Sequence, residues 1–479
     1  MRDYRFGNFL RELRERRGLS QYQLGRLVGV SDKAVSKWEN GSAKPQSRLL
    51  YKLSDVLEIT VDELLACKYR SAEGEAPKGV FSTKNKLWKQ AHQSLRDRYG
   101  PVVPVPVLDR YLREYAELQS TDIPIYFELL RRIRTLEPYL LERGGIGASF
   151  VAFVMGATDI NPLEPHYFCP HCHQIEFANT RCGWDLPPKT CSCGQEMQRD
   201  GHSLPFEAWR PTIHQTPHFD LALSPDSCPA VKELIDTYFT GNTVVTFTRT
   251  EHPHLRTVAI LPEGALDLKN GQELPFEEYG ERARQYPTFT LVIDEELHLY
   301  RRLEAESGTA FEQVPFSAPE VLEAFCKGDI DNIPDWRCDF LRHMIHETKP
   351  SSFYDLIQIA GLAHGTDTCA QIQSGRSVAD VIAYQDDVFR YLASRTGSGY
   401  AYKIMEDTRR GVYVKGGLSV ELRKQFASAG VEEWFLESIE KIRYLFPKAQ
   451  GVLYVKRALI LMWYKLYCPE VFVTLLREN

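Results

Sequence analysis

The sequence predicts a multidomain chain with three architectures in series. An all-α five-helix head is followed by an α+β body carrying a zinc-ribbon insert, and then by an all-α C-terminal domain. Three observations predict this. Residues 5–66 repeat apolar side chains at helical spacing between capping residues; residues 87–300 mix helical stretches with short alternating apolar runs and two close cysteine pairs; from Glu295 onward the pattern is helical.

At 479 residues the chain is long enough for two to four domains, and its composition is that of an ordinary soluble protein. The N-terminus is charged throughout, so no signal peptide is expected. The apolar run 452–476 is cut by Lys456, Arg457 and Lys465, so no membrane span is expected. Eleven cysteines without a secretion signal predict a reducing cytoplasm, with some thiols used for metal. The net charge of −6 divides into +5 over residues 1–70 and −11 over the rest. A basic head on an acidic body predicts that nucleic acid is gripped mainly by the head.

In the head, helix one spans about residues 6–17, with Phe9, Leu10 and Leu13 at helical spacing and Gly18 as its C-terminal cap. Helix two opens on the capping box Ser20-Gln21-Tyr22-Gln23 and buries Leu24, Leu27 and Val28. Gly29 permits the left-handed turn into helix three. Helix three has Ser31 as N-cap and buries Ala34, Val35 and Trp38. Asp32, Lys33, Ser36 and Lys37 then face out. Pro45 opens a fourth helix, and Thr60-Val61-Asp62-Glu63 caps a fifth. Leu19-Ser20-Gln21 and Ser36-Lys37-Trp38-Glu39-Asn40-Gly41 closely resemble the Cro/phage-repressor (XRE) helix-turn-helix family. The resemblance implies double-stranded DNA as partner, with the second helix of the motif in the major groove. Ser31, Asp32, Lys33, Ser36 and Lys37 are the expected DNA-binding residues, and Gln21, at a helix start, is placed for a phosphate. A palindromic site implies a homodimer.

Residues 69–86 are polar with Gly and Pro and read as a linker. Helices are expected over 87–98, 109–118 and 123–141, the first two separated by Pro101, Pro104 and Pro106. Residues 143–155 are a Gly-rich turn before the apolar run Phe150-Val151-Ala152-Phe153-Val154, where small residues let backbone N–H groups approach a phosphate. Cys169-x-x-Cys172 and Cys191-x-Cys193 follow, eighteen residues apart; four thiolates from two turns suit tetrahedral structural zinc. Cys182, His171, His173 and His202 are alternative ligands.

Pro217-His218-Phe219-Asp220-Leu221-Ala222-Leu223 alternates as a half-buried strand, with His218 and Asp220 on one face. Two carboxylates at that spacing would suit a pair of divalent ions in phosphoryl transfer, but the first of the pair here is an imidazole. With the Gly-rich turn, Asp159-Ile160-Asn161-Pro162 and the cysteine pairs upstream, and His364-Gly365-Thr366-Asp367 and Phe446-Pro447-Lys448-Ala449 downstream, this strand resembles the palm and fingers of the C-family replicative polymerase of PolC type. The resemblance covers roughly residues 120–479. It implies a palm-like segment over 87–300, with a zinc module at 166–198 and a reduced thumb at 228–264, and a fingers-like segment over 301–479. It also implies that His218 replaces the first metal-site Asp, that Asp220 and Asp294 are the remaining two, and that Arg143, Gly144, Gly147, Ser149 and Lys448 meet the incoming nucleotide. Glu142 in that turn would repel phosphate. The PHP and exonuclease segments of the family are not found.

The expectation is therefore a DNA-binding regulator, possible replisome partner included, on a catalytically degenerate polymerase body with structural zinc. The alternative is a specialised polymerase or nucleotidyltransferase using Asp220 and Asp294, with Mg²⁺ as cofactor.

Overall fold

The computed structural model of the chain describes residues 4–46, 49–57, 80–209, 216–263 and 265–478. They divide into two compact units, Met1–Ile125 with Pro170–His173, and Tyr126–Cys169 with Gln174–Asn479.

The first unit begins with α1 (Tyr4–Arg16), α2 (Gln21–Val28), α3 (Asp32–Glu39) and α4 (Leu50–Leu57). The capping box forms: Ser20 Oγ accepts from Gln23 N–H and Gln23 accepts from Ser20 N–H. Ser31 Oγ accepts from Ala34 N–H, and Gly29 closes α2 at φ 80°. Phe6, Leu10, Leu13, Leu24, Val28, Val35 and Trp38 form the core, with Phe9 and Ala34 at its edge. Leu27, expected inside, is 57% exposed; buried Gly25 takes its place on the inner face. The fourth helix is described from Leu50 rather than Pro45, and the fifth, at 60–63, lies outside the described residues. Helix Val80–Tyr99 begins inside the expected linker. Helix Val105–Leu118 begins four residues before the expected start, with Pro104 as its N-cap and Pro106 in its first turn, where a missing N–H costs nothing.

The second unit is built on a six-stranded sheet. Its strands are β1 (Leu141–Arg143), β5 (His218–Leu223), β6 (Asn242–Thr248), β7 (Leu255–Pro262), β8 (Glu273–Pro275) and β9 (Thr288–Ile293), in the order β1-β5-β9-β7-β6-β8. β5 lies antiparallel to β1 and parallel to β9. Phe219, Leu221 and Leu223 are buried while His218 and Asp220 are exposed, so the period-2 pattern fixes which face meets the core. Residues 228–264, expected as a reduced thumb, form helix Cys228–Tyr238 and the hairpin β6–β7, which is the far half of this sheet.

A second sheet, β2 (His166–Phe168), β3 (Ile175–Phe177) and β4 (Gln198–Asp200), is ordered β3-β2-β4 and carries the cysteine turns. Asp185, just after Trp184 of this module, accepts the backbone N–H groups of Phe353 and Tyr354 at 2.6 and 3.1 Å. It thereby caps helix Phe353–His364, whose first N–H groups have no partner within the helix. The C-terminal part is helical, and helix Lys448–Tyr467 is largely buried, which accounts for its apolar run. Among the described residues no single helix is long and apolar enough to cross a membrane.

Candidate nucleic-acid and metal sites

On the head, Ser31, Asp32, Lys33 and Lys37 are exposed and Ser36 is half-buried, so these side chains stand off one surface of α3. Behind them Glu39 is buried. It receives Arg14 Nε at 2.5 Å and Nη2 at 3.0 Å, Gln21 Nε2 at 2.8 Å and Arg11 Nε at 3.4 Å. Burial pushes the Glu39 carboxyl up, but the bonds from Arg14, Gln21 and Arg11 outweigh it and hold the group below its ordinary value. Gln21, expected at a phosphate, gives one amide N–H to Glu39, which orients its side chain. Glu39 was legible only as part of a motif; its role joins three helices and needs the fold.

On the large sheet, Asp220 stands between Arg143 on β1 and Thr290 on β9. Its cross-strand partner is thus a hydroxyl. Asp294 lies past the end of β9, four residues beyond Thr290, or about 13 Å along the strand. Asp294 N–H donates to Leu223 O, and its carboxylate accepts Glu296 N–H at 3.0 Å, a turn role. The register does not bring Asp294 beside Asp220. His218 Nδ1 is hydrogen-bonded to Thr288 Oγ1 at 2.7 Å. Burial lowers the His218 pKa, Asp220 opposing and Arg284 adding to it.

The Gly-rich turn is closed. Gly147 has no room for a side chain: a Cβ there would lie 2.9 Å from Ala449 Cβ. Ala148 and Ser149 N–H groups are bonded to Gly145 and Ile146 carbonyls. Ser149 is fully buried and N-caps the five-residue helix Phe150–Val154. Gly144, at φ 142°, and Arg143 remain accessible. Glu142 is buried, and burial pushes its carboxyl up to about 8, so at neutral pH it is mostly uncharged and does not repel an anion. Lys448, expected at a nucleotide, is 3% exposed; its Nζ donates to Asp387 Oδ1 and Tyr354 Oη, both at 3.1 Å. Desolvation lowers its pKa but Asp387 and Tyr354 together more than restore it, so it is a buried ammonium already paired.

Sequence reasoning missed the group around His364. Its ring stacks on Tyr454 at 5.3 Å. Burial and then Arg143 lower its pKa while Asp335 raises it. Asp335 is held at φ 62°, a conformation seldom adopted by side chains other than Asn and Asp, and is raised by burial. The left-handed backbone is not readable from Ile333-Pro334-Asp335-Trp336.

The thiols of Cys169, Cys172, Cys191 and Cys193 lie within 4.8 Å of one another. Tetrahedral zinc with bonds of about 2.3 Å sets sulfurs about 3.8 Å apart, so this donor set fits. The single residue between Cys191 and Cys193 is sufficient: Gly194 N–H bonds Cys191 O and Cys191 N–H bonds Gln195 O, which closes the knuckle. Cys182 and His202, the alternative ligands, instead face each other at 3.6 Å in the interior.

Residues 10–64 match the helix-turn-helix family, and residues 291–397 match the bacterial DNA polymerase III alpha subunit finger domain. The chain is similar to the DNA polymerase III PolC-type of Oceanobacillus iheyensis (28% identical, covering 90% of this chain and 37% of the relative). It is likewise similar to that of Staphylococcus aureus (30%, covering 87% and 34%) and to that of Caldanaerobacter subterraneus (26%, covering 84% and 34%). The chain spans about a third of the length of these curated relatives. It therefore combines a helix-turn-helix head with a body similar to PolC-type polymerase.

Proposed function

We propose that this chain is a sequence-specific, cytoplasmic DNA-binding regulator whose body has a polymerase-like fold without two-ion chemistry. The reading is carried by one observation: Asp220 is flanked by Arg143 and Thr290, with His218 before it, so none of its immediate neighbours in the strand register is a second carboxylate. Two divalent cations held close repel each other, and in-line phosphoryl transfer needs bridging anions to offset that repulsion. In the head, Lys33, Lys37, Ser36 and Asp32 meet base edges or nearby phosphates, and a homodimer places two heads on half-sites about 34 Å apart. Cys169, Cys172, Cys191 and Cys193 hold a structural zinc. Selection of bound duplexes from a random pool tests the reading. An enriched palindrome, lost in Lys37→Ala, is expected; a pool that stays random would sink it.

A second reading, a nucleotidyltransferase holding Mg²⁺ at Asp220 and Asp294 and working with a replisome, is favoured by the names of the relatives. The four-residue offset of Asp294 from Thr290 stands against it. Primer extension with Mg²⁺ or Mn²⁺, present in the parent and lost in Asp220→Ala, would establish it.

A further inference from the structure

Helix α3 presents side chains of opposite hydrogen-bonding character at its start. The Asp32 carboxylate only accepts, and the Lys33 and Lys37 ammonium groups only donate. All three residues are exposed, and neither lysine has an ion-pair partner among the described residues. Asp32 Oδ1 accepts the N–H of Lys33 at 2.8 Å, which fixes the carboxylate at the first turn and leaves Oδ2 for another donor. Asp32 and Ser36 are four residues apart, as are Lys33 and Lys37, so a carboxylate and a hydroxyl run in a row beside two cations.

The start of α3 is ill suited to the phosphate backbone. Its N–H groups at Lys33 and Ala34 are taken by Asp32 and Ser31, and a carboxylate there repels an anion. A base edge suits it better. In the major groove only the cytosine N4 and adenine N6 amines donate. Adenine sets its N7 acceptor beside that amine, where it opposes a carboxylate, so cytosine is the better partner for Asp32. An ammonium is best met by guanine, whose O6 and N7 acceptors lie side by side. A C·G pair therefore offers both partners to adjacent residues of opposite charge.

We propose that Asp32 and Lys33 set the base preference of the head: Asp32 takes the N4 amine of a cytosine, and Lys33 takes O6 and N7 of a guanine in the same or the adjoining base pair. The inference rests on the DNA-binding reading above and adds to it the chemistry of the half-site. Lys37, one turn further along the same row, strengthens the grip without choosing the cytosine.

The test is selection of duplexes from a random pool by the full chain and by its Asp32→Asn and Lys33→Ala variants, all at one salt concentration. The parent is expected to enrich a C·G pair in each half-site. Asparagine pairs with N6 and N7 of adenine, so Asp32→Asn is expected to exchange the cytosine for adenine, shifting the ratio of the two affinities by about tenfold. On the parent's site, 7-deazaguanine, which lacks the N7 acceptor, is expected to weaken the parent and to weaken Lys33→Ala no further. Both residues are exposed, so both variants should melt with the parent, which separates a changed preference from a lost fold. A pool that stays random with the parent overturns the DNA-binding reading and this inference with it. An enriched site without the C·G pair, or one whose bases are the same for the parent and Asp32→Asn, overturns this inference alone. Equal weakening of the parent and Lys33→Ala by 7-deazaguanine overturns the role of Lys33.

Discussion

Two buried glutamates, one in each unit, sit in opposite electrostatic settings. Glu39 in the head is surrounded by Arg14, Arg11 and Gln21, and is held ionised. Glu142 in the body has a backbone N–H and the field of Arg134, countered by Asp159, and burial leaves it largely protonated at neutral pH. The same residue type is a structural anion in one place and a neutral filler in the other. The contrast extends to chemistry. The head turns Lys33 and Lys37 outward, whereas the body turns Ser149 and Lys448 inward and uses them up. A motif residue acts on a ligand only if the fold leaves its polar atoms unspent.

The largest expected effect is on Glu39. Glu39→Ala leaves buried Arg14 with only the exposed Glu15 carboxylate and the Leu19 carbonyl, and should cost the head about 3–5 kcal/mol, read as loss of its melting transition. A shift under 1 kcal/mol would break the contrast at its strongest point. Lys448→Ala should cost the body a similar amount through Asp387, left without its counter-ion, and the cavity created, whereas Lys448→Met, which fills the space, should be tolerated better; equal losses would argue against a packing share in the cost.

The pH dependences should have opposite signs. The folded pKa of Glu39 is depressed, so its contribution is present above its ordinary pKa of about 4.5 and is lost as pH falls through the lower folded value. The folded pKa of Glu142 is raised to about 8, so the body binds more protons than the unfolded chain between about 4.5 and 8 and loses stability as pH rises through that window. Glu142→Gln should flatten the second trend alone. Denaturant midpoints measured across pH that move together for both units would contradict the assignment.

Lys37→Ala should weaken DNA binding by about 1–3 kcal/mol, lower the salt dependence if the contact is to phosphate, and leave stability unchanged. Asp294→Asn is the smallest, about 1 kcal/mol of stability from the weakened turn bond to Glu296.

The head was legible because its signals are local. A cap and its N–H lie three residues apart, and Ser20, Gln23, Ser31 and Gly29 do as their spacing implies. Leu27 misled because the 24/27/28 spacing marks a stripe without saying where its edge falls. The body's site was less legible because it depends on partners far away in sequence. Only strand register sets Thr290, not Asp294, beside Asp220. Only packing against Asp387, sixty-one residues earlier, removes Lys448 from solvent.

The bonds from Asp185 to Phe353 and Tyr354 reach 168 and 169 residues along the chain. They make the thiol cluster a buttress for a helix that contains none of its ligands. If the four thiols hold zinc as proposed, its removal would register at a distance, as fraying of Phe353–His364.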